Sequence, residues 1–156
     1  SIGNSAFDGC SALTEITLPN SMTYISGHFA GCSALKEITI PEGVTKIGEN
    51  AFSHCSALTS ITIPNSVKRI GNYAFKWCFA LKTIAIPKGV KSIGYEAFCE
   101  CKNLTTVTLP AGVDKIDDHA FWWCNKLKTI YVPAKKTEYY MKRLPKHLQW
   151  NIVEME

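Results

Sequence analysis

The stretch "LTSITIPNSVKRIGNYAFKWC", from Leu58 to Cys78, holds the pattern that decides the fold. Apolar and polar residues alternate from Ser60 to Ile63, which is typical of a strand with one buried face. Pro64 lacks a backbone N–H and ends that strand. A turn then leads into a second short extended segment, in which we expect Val67 and Ile70 to point inward.

The last part of this stretch, "NYAFKWC", is predicted to form one turn of helix. Ala74 leaves room for close packing against a neighbouring segment. Phe75 and Cys78 lie three residues apart, so on a helical turn they share one inward face.

The same pattern recurs along the chain in steps of 22 or 23 residues, and six copies fill residues 2–133. Only the copy at Ile25–Cys32 is one residue short. A unit of this length cannot bury its own apolar face, whereas stacked units can. The recurring core positions include Cys10, Cys32, Cys55, Cys78, Cys101 and Cys124, together with Phe7, Phe29, Phe52, Phe75, Phe98 and Phe121.

The pattern therefore predicts a repeat solenoid of mixed α/β character. We expect a parallel β-sheet on one face, with second short extended segments and single-turn helices on the others. Residues 134–156 are predicted to form a C-terminal cap, in which Thr137 caps a helix and Pro145 ends it. "WNIV" adds a final strand. One face of the cap helix is predicted to cover the last repeat with Tyr140, Met141 and Leu144.

The unit C-x-x-L-x-x-I-x-I-P-x-x-V-x-x-I-G-x-x-A-F resembles the BspA-type leucine-rich repeat of bacterial and protist surface proteins. The resemblance covers all six copies, so residues 1–133 are identified as six leucine-rich repeats of about 23 residues. The tail, residues 134–156, is similar to the C-terminal cap of such proteins. The resemblance implies a solenoid that binds proteins or mediates adhesion, at the cell surface or outside the cell.

The composition limits the alternatives. With 156 residues, 46% apolar and 19% charged, the chain has the size of one ordinary domain and is not disordered. The net charge is only +4, and Arg69 and Arg143 are the only arginines. We therefore expect no nucleic-acid partner. No apolar run approaches the length of a membrane span, so we expect no membrane insertion.

The sequence shows no catalytic, cofactor or metal motif, and we predict a protein that is not an enzyme. His119 could approach Cys99 from the next rung and form a Cys/His pair. No third group orients the histidine, so we do not predict catalysis there. The recurring cysteines are expected to be buried, reduced and apolar in character. Cys99 occupies a different column, which is mostly polar, and we expect it to be an exposed free thiol. That column reads Asp8, Ala30, Ser53, Lys76, Cys99 and Trp122.

Three surfaces are candidates for binding, and for each the alternative is an ordinary solvated or packed face. Aromatic residues at outward positions of the later repeats form one, with Trp77, Trp122 and Trp123. A basic stripe on the second segments forms another and could attract acidic glycans or phosphate-bearing surfaces; it consists of Lys46, Lys68, Arg69, Lys91 and Lys115. The outward positions of the first strands form the third, with Glu15, Thr17, Glu37, Thr39, Ser60, Thr62, Thr83, Thr106, Thr108 and Tyr131.

The predicted function is a non-enzymatic protein-interaction module, part of an adhesin-like surface or secreted protein. Its ligand, by resemblance, is a host or matrix protein. The alternative is a structural or self-associating spacer within a longer repeat protein. The chain enters in mid-repeat, so we expect either a longer array before it or another molecule covering this end. That open N-terminal rung offers a surface for end-to-end self-association.

Overall fold

The computed structural model describes residues 2–156, which form a parallel β-solenoid of about six turns. We call each turn, corresponding to one repeat, a rung. Most of the regular structure consists of short strands that pair with the neighbouring rung. The strands are β1 (Tyr24–Ile25), β2 (Lys46–Ile47), β3 (Arg69–Ile70), β4 (Thr83–Ala85), β5 (Ser92–Ile93), β6 (Thr106–Thr108), β7 (Lys115–Ile116), β8 (Thr129–Val132) and β9 (Ile152–Glu154).

Two parallel sheets run along the stack. The first sheet has the order β4-β6-β8-β9, and the second has the order β1-β2-β3-β5-β7. Register is uniform in the second sheet, where Ile25, Ile47, Ile70 and Ile93 pair in sequence and are all buried. This confirms the inward position predicted for Ile70.

The first sheet is shorter than the sequence pattern predicts. The alternating segment forms a paired strand only from β4 onward. In the copies before β4, strand pairing of this segment among residues 2–156 consists of the isolated bridge between Thr39 and Thr62. In the earliest copies the outward positions of this segment hold Glu15 and Glu37. Like charges oppose pairing between these two copies. The third copy holds Ser60 and Thr62 there and also forms no ladder with β4, so charge explains only the first part of the gap.

The segment predicted as a single helical turn is instead a pair of consecutive tight turns. In the copy around Phe75, both Tyr73 (φ 57°) and Trp77 (φ 61°) adopt the left-handed conformation. The N–H of Lys76 donates to Tyr73 O at 3.1 Å, and the N–H of Cys78 donates to Phe75 O at 3.3 Å. A residue in the left-handed region interrupts the i to i−4 pattern, so no helix can form.

These turns also join the rungs. The N–H groups of Phe75 and Trp77 donate to the carbonyls of Ala97 and Cys99 in the next rung, at 2.7 Å and 2.9 Å. The equivalent N–H groups of the neighbouring copies also donate to carbonyls of the next rung. The turn side therefore carries a third line of hydrogen bonds between rungs, in addition to the two sheets.

The core lies inside the stack and is built from columns of identical residues. Phe75 is fully buried, and its ring lies 5.3 Å from that of Phe52 and 5.1 Å from that of Phe98, nearly parallel in both cases. These spacings lie within the favourable range for aromatic pairs. The inward face predicted for Phe75 and Cys78 is confirmed, since both side chains are fully buried.

The C-terminal residues pack against the last rung. A short helix, α1 (Thr137–Met141), is followed by a 3₁₀ helix (Lys146–Asn151) and by β9, which pairs with β8. Tyr140 is fully buried, and its hydroxyl donates to Pro110 O. The final strand predicted from "WNIV" is therefore present.

Two details of the predicted tail are wrong. Met141 is 45% exposed, so the buried face of α1 consists of Tyr140 with Leu144 beyond its end. Thr137 is the first residue of α1 and does not cap it. Its hydroxyl donates to a carboxylate oxygen of Glu154 at 2.6 Å, which ties the helix start to β9.

We predict that Phe75→Ala lowers the free energy of unfolding by about 3–5 kcal/mol, because it removes a fully buried ring that packs against two others. The measurement is chemical denaturation followed by circular dichroism. Phe7→Ala serves as the control, since Phe7 is only partly buried and stacks on Phe29 alone. A loss for Phe75→Ala no greater than that for Phe7→Ala would contradict the phenylalanine ladder as a main source of stability.

Candidate functional site

The outward face of the first sheet brings most of the predicted surface residues together. Strand pairing places Thr83, Thr106 and Thr129 in one row along the stack, and Ala85, Thr108 and Tyr131 in the next. Thr83 and Tyr131 are exposed, whereas Thr106 and Thr108 are half-buried. The register assumed from the repeat spacing is therefore correct in this half of the sheet.

A shallow depression of about 590 Å³ continues this face across the first three copies. The segments are still joined at their starts, where the N–H of Thr59 donates to Lys36 O at 3.1 Å. Beyond that point strand pairing is limited to the bridge between Thr39 and Thr62. Its exposed surface is mainly polar, and its isoleucines belong to or pack against the core. The lining residues are Glu15, Ile16, Thr17, Glu37, Ile38, Thr39, Ser60, Ile61 and Thr62.

This arrangement offers polar groups for recognition. Glu15, Thr17, Glu37 and Thr39 are all exposed and supply acceptors and hydroxyl donors. Ile38 is buried, while Ile16 and Ile61 are only partly covered.

The tryptophans lie on the turn side, away from the first sheet. Trp122 and Trp123 are 42% and 56% exposed. Trp122 lines a depression of about 530 Å³ that is shared with the cap residues Lys146 and His147. The tail therefore approaches these aromatics without burying them.

Trp77 differs from the other two tryptophans in being less exposed, and its ring is covered by two side chains. His54 stacks on it at 4.1 Å, and Lys76 Nζ lies 4.1 Å from its centre. Its side chain is half-buried. The structure thus separates Trp77 from Trp122 and Trp123, which sequence spacing had grouped together.

The prediction that Cys99 is an exposed thiol is wrong, because its side chain is only 3% exposed. Its column is covered in the middle of the stack, where Ser53 is also buried, and open at its ends, where Asp8 and Trp122 are exposed. Burial, reinforced by the nearby charge of Glu96, raises the pKa of Cys99 to about 12.

Glu96 forms a buried ion pair that the sequence did not indicate. It is 7% exposed, lies in the left-handed conformation and accepts a hydrogen bond from Lys76 Nζ. Burial would raise the pKa of Glu96, but hydrogen bonds from Lys76 and Tyr95 outweigh burial and lower it. A charge at this position is visible in the sequence, yet its partner 20 residues earlier is not a repeat-spaced neighbour.

The cysteine column is buried from Cys32 to Cys124, as predicted, but Cys10 at the start of the stack is exposed. Among the described residues no rung precedes that of Cys10, so no side chain of a preceding rung covers the Cys10 thiol. All seven cysteines are free.

The column also has a polar role that was not predicted. Each buried thiol donates a hydrogen bond to the carbonyl of the phenylalanine in the preceding rung, as Cys78 Sγ does to Phe52 O at 3.2 Å. Cys55 Sγ donates to Phe29 O at 3.1 Å in the same way. Burial raises the pKa of Cys55 to about 12, which keeps the thiol protonated as the donor.

The fold and its internal columns define a solenoid of the leucine-rich repeat class. A model of the BspA type leucine-rich repeat region matches six copies over residues 1–128. The chain therefore belongs to the BspA-type leucine-rich repeat family. No helix among residues 2–156 is long and apolar enough to cross a membrane.

Solved structures of bacterial leucine-rich repeat proteins share the fold. A leucine-rich repeat protein from Bacteroides ovatus is 41% identical with a TM-score of 0.75; the match covers 83% of this chain and 34% of that one. The Treponema pallidum leucine-rich repeat protein is 30% identical with a TM-score of 0.73; the match covers 76% of this chain and 58% of that one.

A leucine-rich cell surface protein from Faecalibacterium prausnitzii is 28% identical with a TM-score of 0.72, and the match covers 92% of this chain and 35% of that one. The chain thus spans between about a third and three fifths of these proteins. No curated protein shows a significant match to the chain.

We predict that one thiol, that of Cys10, reacts with a bulky maleimide in the folded chain, because Cys10 is exposed and Cys99 and the rest of the column are buried. Mass spectrometry of the labelled, digested protein identifies the site. In Cys10→Ser labelling should fall to background until denaturant is added. Rapid labelling of Cys99 in the folded state would contradict its buried position.

We also predict that acid weakens the fold partly through Glu96. The lowered pKa of this carboxyl means that its stabilisation is complete above the unfolded-state value of 4.5 and is lost as the pH falls through the lower, folded-state value. Glu96→Gln should therefore lose less unfolding free energy than the wild type between about pH 6 and about pH 3.

Urea denaturation at each pH provides the measurement. Glu49→Gln is the matched control, because Glu49 is exposed and makes no ion pair with another described residue. That variant should follow the wild-type pH dependence. If the free energy of unfolding of Glu96→Gln has the same pH dependence as that of the wild type, the ion pair does not contribute to acid sensitivity.

Proposed function

We propose that this chain is a non-enzymatic protein-binding module of a cell-surface or secreted protein and that it acts in adhesion. Membership of the BspA-type family supports a repeat module that interacts with proteins. The similar solved protein from Faecalibacterium prausnitzii is described as a cell surface protein, which supports the proposed location.

The observation that carries the proposal is the outward face of the alternating segments, which the first three copies extend beyond the first sheet. The depression of about 590 Å³ in those copies exposes Glu15, Thr17, Glu37 and Thr39. Polar groups of this kind supply the direct hydrogen bonds of protein interfaces. Solenoids commonly bind their partners along such an extended face.

The face favours a partner that presents cationic or hydrogen-bond-donating groups to the first rungs. Glu15 and Glu37 occupy equivalent positions in neighbouring copies, and neither forms an ion pair with a described residue. Complementary charge on the partner would increase the association rate and the specificity. The partner class we propose is therefore a matrix or host-surface protein with a basic segment.

The test is surface plasmon resonance of the purified chain against a panel of matrix and cell-surface proteins. Thr39→Arg with Thr62→Arg places two large cations in the depression and should weaken binding about tenfold or more. The control is Thr45→Arg with Ser92→Arg, which adds the same groups to the second sheet and should leave binding unchanged.

A spacer within a longer repeat protein should bind no member of the panel. Equal loss of binding in the two double variants would also contradict the first-sheet face as the site. Circular dichroism of both variants shows whether either has lost the fold.

A further inference from the structure

The outward side of the second sheet carries a segregated set of cations. The strand register places Lys46, Arg69, Ser92 and Lys115 in one row along the stack. Neighbouring strands in a sheet lie about 4.8 Å apart, so the row presents groups at short, regular intervals. The preceding row is also joined rung to rung, since the N–H of Lys91 donates to Lys68 O at 2.9 Å.

The two rows contain five cations, four hydroxyl residues and a single acid. All five members of the basic stripe are exposed. Of the hydroxyl residues, Thr23, Tyr24 and Thr45 lie at the N-terminal end of the rows and Ser92 lies between Arg69 and Lys115, while the acid is Asp114 at the C-terminal end. The two rows, written in order along the stack, are Thr23, Thr45, Lys68, Lys91 and Asp114, and Tyr24, Lys46, Arg69, Ser92 and Lys115.

The charges of the basic stripe are not neutralised within residues 2–156. None of the three ion pairs that the structure records there includes a member of the stripe. Lys91 Nζ reaches only a backbone carbonyl, that of Gly112, at 3.3 Å. Asp114 accepts a hydrogen bond from Tyr139 Oη at 3.2 Å, so the only acid in the two rows is already engaged.

The cap extends this surface in a way that repeat spacing does not predict. Arg143 lies 3.5 Å from the centre of the Tyr139 ring, and its Nε donates to Asp114 O at 3.2 Å. A sixth cation is thereby placed beside the end of the stripe. The positive surface therefore continues from the second sheet onto the tail.

The charge is most concentrated in the middle of the stripe. The exposed acids Glu42 and Glu49 flank Lys46 in its own rung. The next two rungs hold Lys68, Arg69 and Lys91 without an exposed acid near them in sequence, since Glu96 is buried and paired with Lys76. An anionic partner would therefore gain most from the central cations.

We infer that the basic stripe is a binding surface for a linear acidic polysaccharide that lies along the axis of the solenoid. The stripe is narrow and follows the axis, its cations are mostly contiguous, and hydroxyl residues adjoin it at its N-terminal end and at Ser92. A polysaccharide that bears sulfate or carboxylate groups as well as hydroxyls can pair with both kinds of side chain. Charge complementarity along such a groove or row concentrates an oppositely charged ligand at the surface.

The chemistry of the stripe favours a polysaccharide over a nucleic acid. Proteins that hold single strands use aromatic side chains on which bases stack. The one aromatic at an outward position of the described sheet is Tyr24, and Lys46 Nζ already lies 5.2 Å from its ring centre. A nucleic acid would thus find cations here but no free platform for its bases.

This site is independent of the proposed first-sheet site. The first-sheet depression is acidic at Glu15 and Glu37, and none of its lining residues belongs to the second sheet. Loss of one binding activity should therefore leave the other intact. A protein partner and a glycan could occupy the chain together.

The experiment measures binding of the purified 156-residue chain to heparin oligosaccharides by isothermal titration calorimetry at low and at physiological salt. Lys68→Gln with Lys91→Gln should weaken binding about tenfold and reduce its salt dependence. The control is Lys36→Gln with Lys82→Gln, which removes the same charge from exposed lysines elsewhere and should change affinity less than about twofold.

Three results would overturn the inference. The first is no detectable heparin binding at low salt, and the second is an equal loss in the two lysine pairs, which would indicate a response to net charge alone. The third is tighter binding of a single-stranded oligonucleotide or of polyphosphate of equal charge, which would assign the stripe to another class of polyanion. Unfolding midpoints of both double variants confirm that each is folded.

Discussion

Every rung of this solenoid depends on its neighbours both for burial and for backbone hydrogen bonding. On the turn side, Phe75 and Trp77 donate to the following rung. On the second sheet, the N–H of Lys68 donates to Thr45 O in the preceding rung. A rung is therefore bonded in both directions, and a single repeat would leave these groups and its phenylalanine unpartnered. The stack consequently gains its stability from the interfaces between repeats.

The cysteine column shows why one residue type recurs at one position. The carbonyl of Phe52 accepts the N–H of Cys55 from its own rung and the thiol of Cys78 from the next. A thiol is small and apolar enough for a packed core yet still donates a weak hydrogen bond. Alanine would fill much of the space without supplying the second donor. The column therefore links the hydrophobic core to the backbone of the turns.

The sequence was sufficient to identify the repeat, the inward columns and the second sheet, because these follow from strict spacing of apolar residues. It did not reveal that the turn segment is non-helical. The signal was present in the two left-handed columns, where the first copies hold Gly27, Gly31 and Asn50, residues that tolerate positive φ. Later copies place Tyr73 and Trp77 in these columns, and those residue types do not indicate a positive φ.

Cys99 was misplaced for a different reason, which also bears on the candidate site. The prediction was based on the residue types of the whole column, whereas the burial of one side chain depends on the side chains of the adjacent rungs. Ser53 and Cys99 are buried in the middle of this column, where Lys76 pairs with Glu96 of the next rung, and the ends stay open. The first-sheet residues were placed more successfully, because exposed strand positions depend on register and not on the size of their neighbours.

The contrast between constant interior and variable exterior explains how one repeat can carry two different surfaces. Phe, Cys and Leu columns are constrained by stacking, whereas the copies of this chain differ mainly at outward positions, where a change costs little stability. Uniform register then converts each outward position into a row along the axis. A row of glutamate and threonine on one sheet and a row of lysine and arginine on the other present opposite charges on separate faces. Since each row repeats with the rungs, the partners best suited to it are those that are themselves extended, which is the property shared by a peptide segment and a polysaccharide chain.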